Sequence, residues 1–347
     1  MKTEKIILDK KAEVTLTAYI QDVGGEFANI SKRPMILILP GGGYQSCSDR
    51  EADPVAMAYL KAGYHVCILR YSVGQNAKWP KPLEDYERAV ELIRSKEEEW
   101  YLYPDKIAVI GFSAGGHLAA SAATMSENRP AAAILGYALT GNDVKAYNSE
   151  APDTVAYVDG RTCPCFLFAA RNDEIVPVMN TIKFMEALAE AEVSFESHIY
   201  SYGPHGFSTC DSSVALLDPH VYCRRIPQWV NDSIEWLKEI IGDFSATGLT
   251  EPLCKGRING NHELYLSVEC TMDHVLRYLE GEEIINRNIL DITKMSIEDM
   301  KEAGMYLYLQ NMKVSSALRL MGSSDKKIAE IDQQLVKIRN VAATGEN

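Results

Sequence analysis

A serine with a glycine two residues away on each side, Gly111-Phe112-Ser113-Ala114-Gly115, carries the sharpest chemical signal in this sequence. In a G-x-S-x-G pattern a strand reverses abruptly into a helix and lifts the serine hydroxyl above the sheet, where it can act as a nucleophile. Glycine suits both flanks because such a turn leaves no room for Cβ atoms near the serine. The Ala114 amide then sits at the start of the helix, aimed where an oxyanion would form. Both required neighbours are present: Lys106 to Ile110 reads as a buried strand, and Gly116 to Ala120 as an Ala-rich helix. The bland alternative is a strand–helix turn whose Ser113 merely caps the helix.

A serine nucleophile needs a base, an acid to orient that base, and donors for the developing negative charge. His205, in Ser201-Tyr202-Gly203-Pro204-His205-Gly206-Phe207, is poorly explained by core packing and well placed to be the base. His220 lies in a less constrained loop and is the fallback, while His117 is carried away from the serine by its helix and suits packing or capping. Asp173 follows the apolar run Cys165 to Ala170, at the sheet edge where open α/β folds bind ligands, and is the candidate acid. Glu174 is its local rival, and an Asx turn is the commoner fate of such an aspartate. The donors are the amides of Ala114 and of Gly42 or Gly43, in the run Pro40-Gly41-Gly42-Gly43-Tyr44 that ends another buried strand. Three successive glycines make sense where backbone must approach something closely or adopt positive φ.

The surrounding pattern supplies elements to hold these groups. Ile6 to Leu8 and Val14 to Ile20 alternate as in an antiparallel hairpin, and Met35 to Leu39, His65 to Tyr71, Ala131 to Tyr137 and Phe195 to Tyr200 read as further strands. Helices are expected over Pro54 to Ala62 with Asp53 as cap, Leu83 to Glu99, Val178 to Ala191 and Gln228 to Ile241. Repeated strand–helix–strand order implies an α/β fold: a mostly parallel sheet with helices on both faces. The candidates Ser113, Asp173 and His205 each fall just after a strand, in the chain order that hydrolases of this architecture use.

From about Thr247 the pattern changes, giving an expected catalytic domain at 1–245 and a mostly helical extension at 246–347. Leu264 to Val268 suggests a short strand, and helices are expected over Thr271 to Leu279, from Ser296 through Met312, and from Ser324. The stripe Ile328, Ile331, Leu335 and Ile338 must be buried within the tail, on the catalytic domain, or across the axis of a homo-oligomer. No chemistry is legible there.

The composition excludes several classes. A formal charge of -13 argues against a nucleic-acid partner. No run approaches the ~20 apolar residues of a membrane span. The 8 cysteines show no metal-type pairs, so no metal is expected, and they fit a cytoplasmic protein with reduced thiols.

Residues 30–241 resemble the serine esterases of the α/β-hydrolase superfamily grouped around acetyl-xylan esterases and feruloyl-esterase-like or prolyl-oligopeptidase-like hydrolases. The segments that carry the resemblance are Pro40 to Tyr44, Leu83 to Tyr86 with Arg88-Ala89, Gly111 to Leu118, Asp173 to Pro177 and Gly203 to Phe207. Pro40 stands where lipases and esterases of the HGGG type have histidine. The resemblance implies the α/β-hydrolase fold and hydrolysis of small esters, often O-acetyl groups on sugars, without a cofactor. The alternatives are a peptidase or amidase of the prolyl-oligopeptidase type and a non-catalytic binding module on the same fold.

Overall fold

The computed structural model describes residues 1–254 and 256–341; the end of the expected helical extension, 342–347, lies outside them. The described chain divides into two compact units meeting at Gly256 and Arg257.

The first unit is built on a sheet of eight strands in the order β1-β2-β4-β3-β5-β6-β7-β8. These are β1 (Lys2–Asp9), β2 (Val14–Ile20), β3 (Arg33–Leu39), β4 (His65–Arg70), β5 (Leu102–Phe112), β6 (Ala132–Gly136), β7 (Cys165–Ala170) and β8 (Phe195–Tyr200). The opening hairpin pairs antiparallel, β2 joins β4 antiparallel, and every pairing beyond it is parallel. This is the α/β-hydrolase fold.

The central strands are apolar on both faces because both faces are covered. Along β3, Met35, Leu37 and Leu39 enter one core while Ile36 and Ile38 enter the other. The first core takes α2 (Lys81–Ser95) through Tyr86, Val90 and Ile93, α4 (Ser113–Thr124) through Leu118 and Ala122, and α5 (Met179–Glu190) through Phe184 and Leu188. The second takes α1 (Asp53–Lys61) through Val55 and Tyr59, and α6 (Gln228–Ile241) through Trp229 and Leu237.

Two local expectations change. Asp53 is the first residue of α1 rather than its cap; Ala52 is the cap, and the Asp53 carboxylate instead accepts the Tyr19 hydroxyl. The helix expected over Leu83 to Glu99 is two, α2 and the single turn α3 (Glu97–Trp100), closed by Tyr101 at φ 52°.

The second unit carries α7 (Met272–Val275), α8 (Leu279–Thr293), α9 (Ile297–Glu302), α10 (Tyr306–Leu309), α11 (Val314–Leu320) and α12 (Asp325–Leu335). Ile285, Ile289, Met300, Val314, Leu318, Ile328, Ile331 and Leu335 meet in a core of its own. Ile338 lies past the end of α12 yet packs partly against that core. Leu264 to Val268 is not a strand: Tyr265 makes an isolated bridge to Arg339, and the Leu266 amide bonds the Ile338 carbonyl. Thr271 caps only a single turn, and the long helix of this region, α8, begins where that turn was expected to end. Ser296 and Asp299 form a capping box, but the helix they open stops before Gly304, whose φ of +72° lies outside helical space.

Candidate active site

β5 runs into α4 with a single reversal at Ser113, whose φ of 53° places a non-glycine residue in left-handed backbone. Such strain persists where the surrounding structure over-determines it, typically at functional sites. The glycines show what over-determines it. A Cβ on Gly115 would lie 2.1 Å from the Leu39 carbonyl oxygen, so α4 presses directly on the end of β3. One on Gly111 would lie 2.1 Å from the Gly115 oxygen, and one on Gly116 2.5 Å from the Ala138 Cβ. Phe112 occupies the cap position of α4, which leaves the Ser113 hydroxyl free for another partner.

That partner is His205, whose Nε2 lies 2.9 Å from Ser113 Oγ. His205 Nδ1 lies 2.7 Å from Asp173 Oδ2. The other carboxylate oxygen, Oδ1, accepts the amides of Ile175 and Val176, both at 2.9 Å. Asp173 is therefore both a loop-shaping acceptor and the partner of the imidazole, using one oxygen for each. Glu174 is exposed, and His220 is exposed in a 3-10 turn (Pro219–Val221) where its amide bonds the Asp218 side chain. The loop bearing His205 is anchored by the Gly203 amide on Asn172 Oδ1 at 2.9 Å and by the Arg50 guanidinium on the Gly206 oxygen at 2.7 Å.

His117 is fully buried and packs as expected. Its Nε2 lies 2.8 Å from the Pro152 carbonyl, an acceptor, so that nitrogen carries the proton and Nδ1 accepts the Tyr44 hydroxyl at 2.6 Å. Burial lowers its pKa to about 4, against the Pro152 hydrogen bond.

The loop after β3 lies against the elbow: a Cβ on Gly41 would stand 3.0 Å from Ser113 Cβ and 2.7 Å from the Phe112 oxygen. Gly42 and Gly43 both have positive φ, at +136° and +61°. Their amides have no protein acceptor among the described residues, and the Ala114 amide belongs to the first turn of α4. All three candidate donors thus have hydrogen-bonding capacity in hand, and the Gly41 that precedes two of them lies against the serine.

One residue of this neighbourhood escapes sequence reasoning. Glu51, only 3% exposed, follows the glycine loop in a short 3-10 turn (Asp49–Glu51). Its Oε2 accepts the Gly41 amide at 2.8 Å, and its Oε1 accepts the Tyr137 hydroxyl at 2.6 Å. The Tyr137 ring in turn packs edge-on against His205, centroids 5.0 Å apart. The Arg50-Glu51 pair has no helical or strand periodicity to flag it; a charged residue shortly after a glycine loop is the sole signal.

A shallow cleft of about 360 Å³ opens beside the imidazole, lined by Asn172, Glu174, Ile175, Gly203, Pro204, His205 and Val221. Among the described residues no group of three or more His, Cys, Asp or Glu side chains is arranged to hold a metal. The arrangement can deprotonate a serine hydroxyl, orient the imidazole that does so, and present amides to an anion.

A family model described as BD-FAE matches residues 26–149. Over 211 residues the chain is 29% identical to endo-1,4-beta-xylanase B of Butyrivibrio fibrisolvens, covering 52% of this chain and 33% of that protein. It is 28% identical over 195 residues to the acetylxylan esterase of Xylanibacter ruminicola, covering 50% of this chain and 40% of that one. The chain thus spans well under half the length of these two curated relatives. Among solved structures, MGS-M1, an alpha/beta hydrolase enzyme from a Medee basin deep-sea metagenome library, is 41% identical with a TM-score of 0.65. That match covers 69% of this chain and 98% of the other.

Proposed function

The chain belongs to the α/β-hydrolase family, and from that premise we propose that it is a serine carboxylesterase acting on small esters. The observation that carries the reading is the unbroken chain from Ser113 Oγ to His205 Nε2 at 2.9 Å and from His205 Nδ1 to Asp173 Oδ2 at 2.7 Å. Ser113 Oγ attacks the ester carbonyl while His205 Nε2 takes its proton; the alcohol leaves with that proton, forming an acyl-enzyme. Water, deprotonated by the same imidazole, then releases the acid. Asp173 holds the imidazole with Nδ1 protonated, so that Nε2 is the basic nitrogen. The amides of Ala114 and of Gly42 or Gly43 stabilise the tetrahedral oxyanion.

The substrate we favour is an O-acetyl group on a sugar or xylo-oligosaccharide. Likeness to the acetylxylan esterase of Xylanibacter ruminicola supports it. Labelling by a fluorophosphonate probe and hydrolysis of nitrophenyl acetate test the reaction. Both should occur in the native chain and vanish in Ser113→Ala; a native chain inert to both would overturn the esterase reading. Release of acetate from acetylated xylo-oligosaccharides, compared with longer synthetic acyl esters, tests the substrate.

A further inference from the structure

We infer that Glu51 is a positioning residue of this site: its buried carboxylate fixes the oxyanion loop through Gly41 and, through Tyr137, favours the imidazolium that His205 becomes in the reaction. This rests on the esterase reading and deepens it.

The hydrogen bonds assign the state of the carboxyl. The Ser208 amide donates to the Tyr137 oxygen at 3.0 Å, so the phenolic proton is free to go to Glu51 Oε1 at 2.6 Å. The Gly41 amide can only donate, and it does so to Oε2 at 2.8 Å. Both carboxyl oxygens are thus acceptors, the pattern of an ionised group. Burial pushes the Glu51 pKa up, while the Tyr137 and Gly41 hydrogen bonds and the nearby charges of His205 and Arg50 oppose that push.

Two consequences follow from this placement. First, Gly41 is pinched between Glu51 and the elbow, with room for a Cβ on neither side: Glu51 Oε2 and the Phe112 oxygen would each lie 2.7 Å from it. Fixing the Gly41 amide fixes the start of the turn that presents the next two amides to the ester. Glutamine at 51 could not reproduce this, because it has one acceptor oxygen for two donors.

Second, proton transfer to His205 creates a cation in a partly dry site. The groups around the imidazole are the Asp173 carboxylate, the Ser113 hydroxyl, the Tyr137 ring and the Glu174 carboxylate across the cleft. The Arg50 guanidinium adds positive charge through its bond to Gly206. Around Glu51 stand Arg50, His205 and the neutral Tyr137, Tyr71 and Cys47 side chains. Glu51 therefore places a second buried anion behind the base, offsetting Arg50 at the moment the imidazolium forms.

The test is Glu51→Gln, assayed with nitrophenyl acetate between about pH 5 and pH 9, where a histidine base controls the acid limb. We expect kcat to fall about 10–100-fold with KM changed less than about threefold, since the lost stabilisation acts on the transition state. The acid limb of kcat/KM should move to lower pH, because removing an anion disfavours the imidazolium. Tyr137→Phe keeps the Gly41 contact but removes the hydroxyl that helps hold the buried Glu51 carboxyl ionised, and should move the limb the same way with a smaller loss of kcat. A folded Glu51→Gln protein with unchanged kcat and limb overturns the inference, as does a kcat loss with the limb unmoved in both variants. If Glu51→Gln does not fold, Tyr137→Phe decides: a shifted limb supports the role and an unshifted one overturns it. A native chain inert to the ester and to the fluorophosphonate sinks the esterase reading, and this one with it.

Discussion

Asp173 divides its two carboxylate oxygens between a loop and a base, and that division makes a sharp substitution available. In Asp173→Asn the amide oxygen can still accept the Ile175 and Val176 amides, each at 2.9 Å, so the loop should survive. The new NH₂ then faces His205 Nδ1 and forces that nitrogen to accept, leaving Nε2 protonated and useless as a base. Turnover should fall by roughly 10³–10⁴-fold with the urea midpoint little changed. Glu174→Gln should keep kcat/KM within about twofold, its side chain being exposed beyond the triad's hydrogen bonds. A reversed pair of outcomes would move the acid by one residue. At this scale the triad is legible in sequence because each member follows a strand and sits among loop-forming residues. Glu51 is not, because its meaning lies in contacts with Gly41, 10 residues away, and Tyr137, 86 residues away. Neither contact leaves a local pattern.

The elements tell a similar story, and α4 adds a prediction of its own. Strands and helices of the sheet unit are legible where a two-faced burial demands continuous apolar runs, as in β3, or a single apolar stripe, as in α2 and α6. The smaller helices of the second unit are less so. There the breaks depend on single residues such as Gly304, and the β-branched positions of α8 look as compatible with strand as with helix. In α4, His117 ties the elbow helix to Tyr44 on the glycine loop and to Pro152. Its folded pKa is lowered to about 4 from 6.5 by burial. Between those pH values the unfolded chain binds a proton that the folded chain refuses, so stability is full above about pH 6.5 and is lost as pH falls towards 4. At about 1.4 kcal/mol per pKa unit, the loss attributable to this residue is on the order of 3 kcal/mol. Urea unfolding at about pH 7 and pH 4.5 should therefore show a larger drop for the native chain than for His117→Gln. The variant is less stable at neutral pH but has one fewer buried imidazole to protonate. Equal drops in both would mean that His117 is not held neutral by the fold. His65, lowered to about 4 by burial in the same way, remains in both proteins and cancels in the comparison.

For the whole molecule, the question is whether the chemistry needs the second unit. The three triad residues, the glycine loop and Glu51 all belong to the first unit, Met1–Gly256. The second buries its stripe of Ile328, Ile331 and Leu335 in a core made with Ile285, Ile289 and Leu318. That answers from within one of the places such a stripe has to go, and each fully buried side chain of this kind stabilises its unit by about 1.5–3 kcal/mol. Where to cut is decided by the segment that follows α6. A chain ending at Asp243 would lose the hairpin of Phe244–Ser245 and Gly248–Leu249, whose Phe244 ring stacks under the Arg33 guanidinium at 5.6 Å and abuts Gly63. It would also lose the Leu253 amide bond to Glu239 and the Gly256 carbonyl that accepts the Ser194 amide at 3.0 Å. A chain ending at Gly256 keeps all of these. We therefore expect the 1–256 protein to be soluble, to unfold cooperatively, and to hydrolyse nitrophenyl acetate with kcat/KM within about threefold of the full chain. The 1–243 protein should be clearly less stable to urea than 1–256. Mass in solution, measured for the full chain and for 1–256, reads whether the helices of the second unit assemble copies of the chain. Selectivity among acetylated oligosaccharides, measured on the same pair, reads whether they shape what the site accepts. A folded 1–256 protein without hydrolysis even of an activated acetyl ester would show that the reaction draws on the second unit, and the assignment of the chemistry to the sheet unit alone would fail.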